Sequence, residues 1–364
     1  MSIITKLLFD GAQKIVSYPN YKARYLDGNR DLKKGLSNSL PISKEQKEEI
    51  LSFWKEYLIN RKSKHAFNIK WYDVYNKTNV FGAELKYYIP DSYYYCIVDD
   101  FFSNYKEALA LDDKNLYDLF FNDVAQPRTI CRKESGVFLD SDYHIITESK
   151  AISLCEKNFK VICKPSVDAL GGRGICYWDG QKSDVSSLRS ILKNADSLVV
   201  QDVIKQHSVL AAFNDSSVNT LRLVTLLFGG EVHLVTAVTI LGGKDSLTNH
   251  LHGGGLVCGI LPTGQLRDTA FNGNLMQYHE HPASGVAFAD CIIPNYEKCV
   301  SLVKGLAPRL SRVSKLLSWD LTIGENGEPV LIEVNLSWGG SVQIAGGPVF
   351  GDMTKEVLNT IKKG

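Results

Sequence analysis

Apolar residues are arranged in two ways along this chain of 364 residues. From about residue 108 onward, short apolar runs separated by turn-forming residues recur, which is typical of buried β-strands. These runs predict strands at residues 159–163, 197–204, 220–228, 231–241, 256–261 and 329–335. Helical spacing predicts helices at residues 44–62, 107–121, 184–195 and 294–316. Ser43 is the predicted N-cap of the first of these helices. Hairpins mixed with helices favour an α+β fold over a regular βαβ arrangement.

The first hundred residues differ from the rest because aromatic side chains are concentrated between residues 65 and 103. The simpler interpretation is an aromatic core beneath a helical cap. The alternative is a face that stacks against a sugar or another ring, and the tyrosines of this segment do not decide between the two. Residues 1–16 are predicted to form a helix docked on the protein itself, with an amphipathic helix on a membrane surface as the alternative.

Composition and charge exclude several classes of protein. Hydrophobic residues make up 44% of the chain and charged residues 22%, which is typical of a globular protein. The net charge of +1 argues against a basic nucleic-acid-binding protein. No apolar run reaches roughly 18 residues and no signal peptide is evident, so we expect no membrane span. The eight cysteines form no CxxC pair, and we expect them to be reduced and mostly buried in a cytoplasmic protein.

The standard nucleotide-binding motifs do not occur in this sequence. It contains neither the GxxxxGK motif of a P-loop nor a GxGxxG motif after a strand. The segment 252–255 is similar to the oxyanion loop of some esterases. However, Ser341 lies in GGSVQ rather than in the GxSxG that such a hydrolase requires. A serine hydrolase is therefore disfavoured.

A different arrangement for binding phosphate remains. Lys164 ends the predicted strand FKVICK, and a glycine-rich turn follows at residues 171–174. A lysine at the end of a strand supplies positive charge to phosphate oxygens, and a glycine-rich turn lets backbone N–H groups approach them. The alternative is that these glycines form an ordinary turn.

A predicted hairpin near the C-terminus carries Asp320 on one strand and Glu333 and Asn335 on the other. The last two are two residues apart, so their side chains project from the same face. Two carboxylates and an amide oxygen suit Mg²⁺, which prefers hard oxygen ligands and keeps positions for water and phosphate. The alternative is a solvated polar face. Because Glu333 is flanked by apolar residues, it is expected in a largely buried strand, where a carboxylate needs a partner.

Together, these residues resemble the ATP-grasp superfamily. The resemblance is carried by Lys164 with its glycine-rich turn, Gln201-Asp202-Val203-Ile204, and Asp320 with Glu333-x-Asn335. Asp113-Lys114-Asn115 resembles the segment of the first nucleotide lysine of that superfamily. The sequence resembles the sugar-transfer-associated branch of this superfamily more closely, over roughly residues 50–350. The segments that carry this closer resemblance are Asn219-Thr220-Leu221-Arg222, Gly253-Gly254-Gly255, His281-Pro282, Ile293-Pro294 and Trp319-Asp320.

This resemblance implies a fold in which two α/β subdomains enclose ATP between antiparallel sheets. We expect a helical, aromatic-rich region at residues 1–107, which would cap the acceptor side. The N-terminal ATP-grasp subdomain with its glycine-rich lid would then occupy residues 108–204. The C-terminal subdomain with the Mg²⁺-binding hairpin would occupy residues 205–364.

The resemblance also implies roles for individual residues in binding ATP. Lys114 and Lys164 would hold the α- and β-phosphates, and backbone groups of Asp202 and Ile204 in the hinge would read the adenine edge. Near the ribose, where the superfamily usually has an acidic residue, this sequence offers His207 and Ser208. The lid over the triphosphate would be formed by Gly171, Gly172, Arg173 and Gly174.

For the metal and the reacting groups, the resemblance implies two Mg²⁺ ions held by Asp320, Glu333 and Asn335. Arg222 would lie beside the γ-phosphate or an acyl phosphate, and we expect it to act in catalysis together with Lys164. His281 is a candidate for deprotonating an incoming ammonium group. Other acceptor-site candidates are His250, His252, Gly254, Trp338, Gly340 and Ser341, of which the last two could offer backbone N–H groups. His250 and His252, and likewise His279 and His281, are two residues apart and would share one face of a strand, so a zinc site is an alternative.

The function that this pattern favours is a carboxylate–amine ligase acting through an acyl phosphate. The branch points to a glycan setting, in which a uronic-acid carboxylate of a sugar or glycan is joined to an amino acid or small amine. A kinase with the same nucleotide site is one alternative, with Asp245 or Asp268 as its base. A non-catalytic nucleotide-binding module of a polysaccharide-assembly complex is the other alternative.

Overall fold

The computed structural model describes residues 21–167, 174–244, 246, 248–249, 251 and 254–363. Within these residues, six strands form one sheet in the order β3-β2-β1-β6-β4-β5 and seven form a second in the order β11-β10-β9-β8-β7-β12-β13. All pairings within both sheets are antiparallel. The strands are β1 Thr129–Glu134, β2 Val137–Asp140, β3 Ile145–Ile146, β4 Lys160–Pro165, β5 Cys176–Asp179, β6 Leu198–Asp202, β7 Thr220–Phe228, β8 Glu231–Leu241, β9 Leu256–Ile260, β10 Leu266–Asn272, β11 Gln277–Tyr278, β12 Leu316–Ile323 and β13 Pro329–Asn335.

Helices precede the sheets, cover them and follow them. In chain order they are α1 Leu32–Leu36, α2 Lys44–Trp54, α3 Arg61–Ala66, α4 Trp71–Thr78, α5 Asp91–Tyr93, α6 Asp99–Phe102, α7 Tyr105–Ala108, α8 Tyr117–Phe120, α9 Glu148–Lys157, α10 Val185–Lys193, α11 Ser208–Ala211, α12 Tyr296–Leu306, α13 Ser341–Gly346 and α14 Thr354–Lys363. A π-helical turn, Tyr94–Val98, connects α5 to α6. The predicted α+β class and the helical, aromatic-rich N-terminal region are both confirmed. In the described part of the chain, no helix is long and apolar enough to cross a membrane.

The first predicted helix begins where expected but ends early. The Ser43 side chain accepts a hydrogen bond from the Gln46 backbone N–H at 3.1 Å, and the Gln46 side chain accepts one from the Ser43 N–H at 2.7 Å. The helix ends at Trp54 rather than at residue 62. The reason is that Asn60 caps a separate helix, since its side chain accepts from the Ser63 N–H at 2.8 Å. A residue that satisfies the first N–H groups of a new helix favours a break before it.

Two other predicted helices are also shorter. Residues 107–121 form the end of α7, two 3₁₀ turns and α8. The Asp113 side chain accepts from the Asn115 N–H at 2.9 Å, which starts a new turn inside the predicted helix. In the segment 294–316, α12 ends at Leu306 and a 3₁₀ turn with Pro308 at its start follows.

Three hydrophobic cores hold these elements. One lies between the six-stranded sheet and the helices α9 and α10. A second lies between the seven-stranded sheet and α12. The third joins the N-terminal aromatic residues, among them Trp54, Tyr72 and Tyr75, to the other face of the seven-stranded sheet and to α13 and α14. The aromatic residues of the N-terminal region are therefore mostly core. The helix predicted at residues 1–16 lies outside the described residues.

Candidate active site

The β12–β13 hairpin presents Asp320, Glu333 and Asn335 on one face of the seven-stranded sheet. Asp320 is directly opposite Glu333, and Ser318 is opposite Asn335. The register then shifts, because Leu321 is opposite Leu331 and Ile332 is left over as a bulge. The bulge allows the Leu331 side chain to face the core, at 1% exposure, while Glu333 faces the open side at 28%.

Arg222 holds the Asp320 carboxylate from the neighbouring strand β7. These two residues are opposite each other in the sheet, and the guanidinium donates from Nε to Oδ1 at 2.8 Å and from Nη2 to Oδ2 at 2.7 Å. Burial alone would lower the pKa of Arg222, but the adjacent Asp320 carboxylate more than offsets this and raises the pKa above its usual value. A two-pronged contact of this kind fixes the orientation of the carboxylate.

Lys114 reaches the same face from the side of the six-stranded sheet. Its Nζ lies 2.9 Å from the Glu333 Oε1. Its backbone N–H donates to the Ser166 carbonyl at 2.9 Å, which ties the Lys114 turn to the end of β4. An ion pair therefore spans the space between the two sheets.

Lys164 lies on β4 on the same side of that space. Its Nζ donates to the Gln201 Oε1 at 3.2 Å, and Gln201 lies on the neighbouring strand β6. Burial lowers the pKa of Lys164 to about 8, an effect that the charge of Glu333 opposes and that of Lys114 reinforces. Lys164 is half-buried and contacts no carboxylate among the described residues, so its positive charge is available to an anion.

Tyr117, which sequence reasoning did not identify, holds strand β13 in place. Its hydroxyl accepts a hydrogen bond from the Val334 N–H at 3.1 Å and donates to the Val334 carbonyl at 3.4 Å. Val334 is the residue between Glu333 and Asn335. The available signal was only the position of this tyrosine, three residues after Lys114 at the start of a helix.

The segment that joins the two sheets borders an open cleft of about 430 Å³. The cleft is lined in part by Pro127, Asp202, Ile204, Lys205 and Val330. The Asp202 side chain is paired with Arg128 at 2.8 Å, so its carboxylate is already occupied. The His207 Nδ1 accepts from the Val209 N–H at 3.2 Å at the start of α11, and Ser208 is exposed as the first residue of that helix.

The structure describes only part of the predicted lid and acceptor site. Gly174 has a φ of +75°, and a Cβ there would lie 2.7 Å from the Pro165 side chain, so this position requires glycine. Gly254 is exposed, with a φ of +88°. The other lid residues and two predicted histidines lie outside the described residues: Gly171, Gly172, Arg173, His250 and His252.

The turn after β13 brings Trp338, Gly340 and Ser341 beside the N-terminal region. Trp338 is buried and stacks on Tyr94, with ring centroids 3.5 Å apart. The Trp338 carbonyl accepts a long hydrogen bond from the Arg222 Nη1 at 3.4 Å. Ser341 is the first residue of α13. This turn therefore lies next to Arg222, where the acceptor was predicted.

His281 is placed differently from its predicted role. Its ring is fully buried, with Nε2 2.9 Å from the Gly242 carbonyl and Nδ1 3.3 Å from the Ser284 hydroxyl. Burial lowers its pKa, and the contact with Gly242 opposes this only in part. Both ring nitrogens are in contact with protein groups, which is the arrangement of a structural histidine. We therefore give it no part in the reaction.

The residues of the hairpin fit a magnesium ion. Asp320 and Glu333 supply two carboxylates on one face, and the Asn335 Nδ2 donates to the Asp320 Oδ2 at 3.4 Å, which leaves the amide oxygen free to accept. Two lysines and an arginine surround these groups. Such a set of charges can hold the phosphates of a nucleotide together with a divalent cation and neutralise charge that moves between them.

Two antiparallel sheets that face each other across lysines on one side and acidic residues on the other define a protein of the ATP-grasp fold. The chain belongs to the family of sugar-transfer-associated ATP-grasp proteins, because the model of that family matches residues 99–359. The resemblance and the fold predicted from the sequence are confirmed. The predicted enzyme class, an ATP-dependent ligase, stays a prediction. No curated protein matches the chain in a sequence search.

Several hundred chains of solved structures are similar in fold. D-alanyl-alanine synthetase A from Vibrio cholerae O1 biovar eltor strain N16961 is 13% identical, with a TM-score of 0.40 over 70% of this chain and 64% of that chain. L-amino acid ligase from Bacillus licheniformis is 16% identical, with a TM-score of 0.40 over 70% of this chain and 48% of that chain.

A third structure is the biotin carboxylase domain of 2-oxoglutarate carboxylase from Hydrogenobacter thermophilus, in complex with MgADP. It is 15% identical, with a TM-score of 0.44 over 72% of this chain and 48% of that chain. The chain thus spans less than two thirds of the length of each of these three structures. At these values the likeness concerns the fold alone.

Proposed function

We propose that the protein is an ATP-dependent carboxylate–amine ligase. The observation that carries the proposal is that Lys114, Lys164 and Arg222 converge with Asp320 and Glu333 on one face between the two sheets. This arrangement suits phosphoryl transfer from a nucleotide, which needs positioning and charge neutralisation rather than a protein nucleophile. All eight cysteines are free and seven are buried, so none is placed as an exposed nucleophile.

In the proposed reaction, a substrate carboxylate oxygen attacks the γ-phosphorus of ATP and ADP leaves. An amine then attacks the acyl carbon, the bond from carbon to the phosphate oxygen breaks, and an amide and phosphate are formed. Lys114 and Lys164 bind the phosphates, and Arg222 neutralises charge on the transferred group. Magnesium would be held by Asp320, Glu333 and Asn335, and two ions are expected from the sequence. When bound, magnesium supplies Lewis-acid stabilisation of the phosphate oxygens.

The remaining parts of the proposal concern the nucleotide base and the substrates. Backbone groups of Asp202 and Ile204 border the 430 Å³ cleft and are proposed to read the adenine edge there. The sugar-transfer association of the family supports a uronic-acid carboxylate as the acid, within polysaccharide biosynthesis. Eight free cysteines, two of them with sulfurs 4.0 Å apart and not bonded, support a reducing, cytoplasmic compartment.

The experiment is turnover of Mg-ATP against pooled uronic acids, free and nucleotide-linked, with and without pooled amino acids and small amines. ADP and phosphate that require both an acid and an amine, with a product one water lighter than their sum, establish the ligase. A product heavier by a phosphoryl group, with ADP and no free phosphate, establishes a kinase instead. AMP release contradicts the acyl-phosphate route.

Replacement of Glu333 by glutamine tests the site directly. We expect turnover to fall by about 10²-fold or more, because the uncharged amide pairs poorly with both Lys114 and a metal ion. The matched control is Glu328→Gln on the same hairpin, whose side chain is 47% exposed and paired with Lys298. Thermal unfolding checks that both variants fold. Equal activity of the two variants would exclude the site from the reaction.

A further inference from the structure

A buried carboxylate lies where the N-terminal region meets the turn that follows β13. Asp91 is the first residue of α5 and is 5% exposed. Its Oδ1 accepts a hydrogen bond from the Tyr75 hydroxyl at 3.2 Å. Its Oδ2 faces the α-carbon of Gly340, and a Cβ at that position would collide with it. The second carboxylate oxygen is therefore turned toward the predicted acceptor turn.

This carboxylate has no cation to balance its charge among the residues that the structure describes. Burial raises the pKa of Asp91 to about 7; the hydrogen bonds from Tyr75 and Gln343 lower it, and the like charge of Asp31 raises it further. The pKa of Tyr95, on the following turn, is raised by burial and by the charge of Asp91. The charged form of a buried carboxylate is costly without a cationic partner, so a cation bound at Asp91 would stabilise that form.

Three buried polar groups beside Asp91 and in the turn after β13 have no hydrogen-bond partner among the described residues. They are the Ser92 hydroxyl next to Asp91, and the Ser337 hydroxyl and the Trp338 indole N–H in the turn. Almost all buried polar atoms in folded proteins are paired, so a ligand that pairs with these groups would be favoured here. The π-helical turn that begins at Tyr94 adds to this, because such turns are frequent at functional sites.

The turn connects this carboxylate to the proposed reaction centre. Gly339 has a φ of +74°, and a Cβ there would lie 3.0 Å from the Arg222 Nη1. Gly340, the next residue, lies against Asp91. The two glycines are thus placed between Arg222, which holds the metal-site carboxylate Asp320, and Asp91. Arg222 and the Asp91 carboxylate are therefore in contact with consecutive residues of one turn.

We propose that Asp91, Ser92 and Tyr95, together with the turn at residues 337–341, form the subsite for the amine substrate, whose ammonium group binds the Asp91 carboxylate. This inference rests on the proposed ligase function and names the chemical class of its second substrate. A cation is the ligand that an unbalanced buried carboxylate recognises best. The Ser92 and Trp338 groups would then bind the polar atoms that accompany the amine.

The proposed step conserves protons and electrons. Asp91 accepts one proton from the ammonium group, which becomes a neutral amine with a free electron pair. The nitrogen attacks the acyl carbon, and the phosphate oxygen leaves with the bonding pair. The second proton lost from nitrogen goes to the departing phosphate. A carboxylate that ionises close to neutral pH is well matched to such a proton transfer.

The test measures amine binding separately from turnover. The full-length protein with Mg²⁺ and a non-hydrolysable ATP analogue is titrated with the twenty amino acids, ethanolamine and putrescine, and the thermal unfolding midpoint is followed. For the wild type, we expect at least one of these amines to raise the midpoint. For Asp91→Asn, we expect the same amine to lose at least tenfold in affinity. The matched control Asp100→Asn, an exposed position of α6, should bind as the wild type does.

Ser92→Ala provides a second variant in case Asp91→Asn fails to fold; it should weaken the amine two- to tenfold without loss of stability. Amine binding that both variants retain overturns the subsite but leaves the ligase intact. The proposed subsite is also overturned if none of these amines raises the unfolding midpoint of the wild type. Hydroxamate formation from pooled uronic acids with hydroxylamine then shows separately whether the acyl phosphate forms, because this small, largely neutral nucleophile needs no proton acceptor.

Discussion

At the scale of single residues, the environment of Lys164 suits the anion that we propose it binds. The lysine is half-buried, contacts the neutral Gln201 and has a pKa lowered to about 8 by burial. An unfolded lysine has a pKa of about 10.4, so between these values the unfolded chain binds more protons than the folded one. The contribution of Lys164 to the free energy of unfolding therefore rises as the pH increases from about 8 to 10.

Replacement of Lys164 by methionine should have two effects. Nucleotide affinity should fall by tenfold or more, because a positive charge for the phosphates is lost. The ligand-free protein should become more stable at pH 7, and this gain should shrink as the pH is raised toward 10, where the wild-type lysine is neutral. Calorimetry with Mg-ADP and chemical denaturation at pH 7, 8.5 and 10 measure these two effects.

Lys160→Met is the matched control, since Lys160 lies at the start of the same strand with a side chain that is 59% exposed. It should change neither property. A Lys164→Met variant that binds nucleotide as tightly as the control would remove Lys164 from the phosphate site.

Residue types were easier to predict than residue environments. The acid–amide set at Asp320, Glu333 and Asn335 follows from spacing within one hairpin. The partner of Asp320 is Arg222, 98 residues away, and that contact depends on the pairing of β7 with β12, which local sequence does not determine. The burial of His281 could not be predicted for the same reason, because its contact with Gly242 depends on the end of the distant strand β8.

At the scale of elements, the hydroxyl of Tyr117 holds a strand that carries two proposed metal ligands. Tyr117→Phe should leave the N–H and carbonyl of Val334 without this partner. Since unpaired buried polar groups cost about 1–3 kcal/mol, we expect stability to fall by about 1–2 kcal/mol. Affinity for Mg-nucleotide should fall as well, because Glu333 and Asn335 lose their fixed orientation. Denaturant unfolding and calorimetry measure both.

Tyr278→Phe is the matched control, because its hydroxyl accepts a hydrogen bond from Asn272 at the other edge of the same sheet. It should lower stability only slightly and leave nucleotide affinity unchanged. If the two variants behave alike, Tyr117 is only one of many stabilising contacts.

The apolar pattern did not predict β1, and the structure gives the physical reason. β1 carries Arg132 and Lys133 in its middle, which interrupts the apolar run, yet both are buried. Arg132 is paired with Asp118, and the Lys133 Nζ donates to the Leu192 and Ala195 carbonyls at 3.0 and 2.8 Å. Charged residues satisfied by distant partners resemble loop residues in the sequence, so β1 could not be recognised there.

At the scale of the whole molecule, the three cores divide the chain in an order that differs from its linear sequence. The core of the six-stranded sheet is built from residues between 130 and 200. The N-terminal aromatic residues instead share a core with β7, β8 and the C-terminal helix α14. Residues 32–102 and the C-terminal helix are thus joined in one packing unit, and residues 130–200 form another.

Hydrogen exchange in increasing denaturant should reveal these units. Amides of the six-stranded sheet should open together, and amides of α4 should open together with those of β7 and β8, because they share buried side chains. Mass spectrometry of peptides from each region measures the midpoints. If α4 opens well before β7, the N-terminal region is an independent layer and the shared core contributes little to cooperativity.

The bulge at Ile332 also bears on how the sequences of relatives should be aligned. Leu331 is opposite Leu321 and Glu333 is opposite Asp320, so Ile332 is the only residue of this stretch without an opposite residue on β12. Deletion of Ile332 would make Leu331 and Glu333 neighbours, and regular alternation would still place them on opposite faces of the sheet. A gap of one residue here is therefore compatible with an unchanged leucine in the core and an unchanged glutamate on the open face, whereas a gap at Leu331 or Glu333 is not.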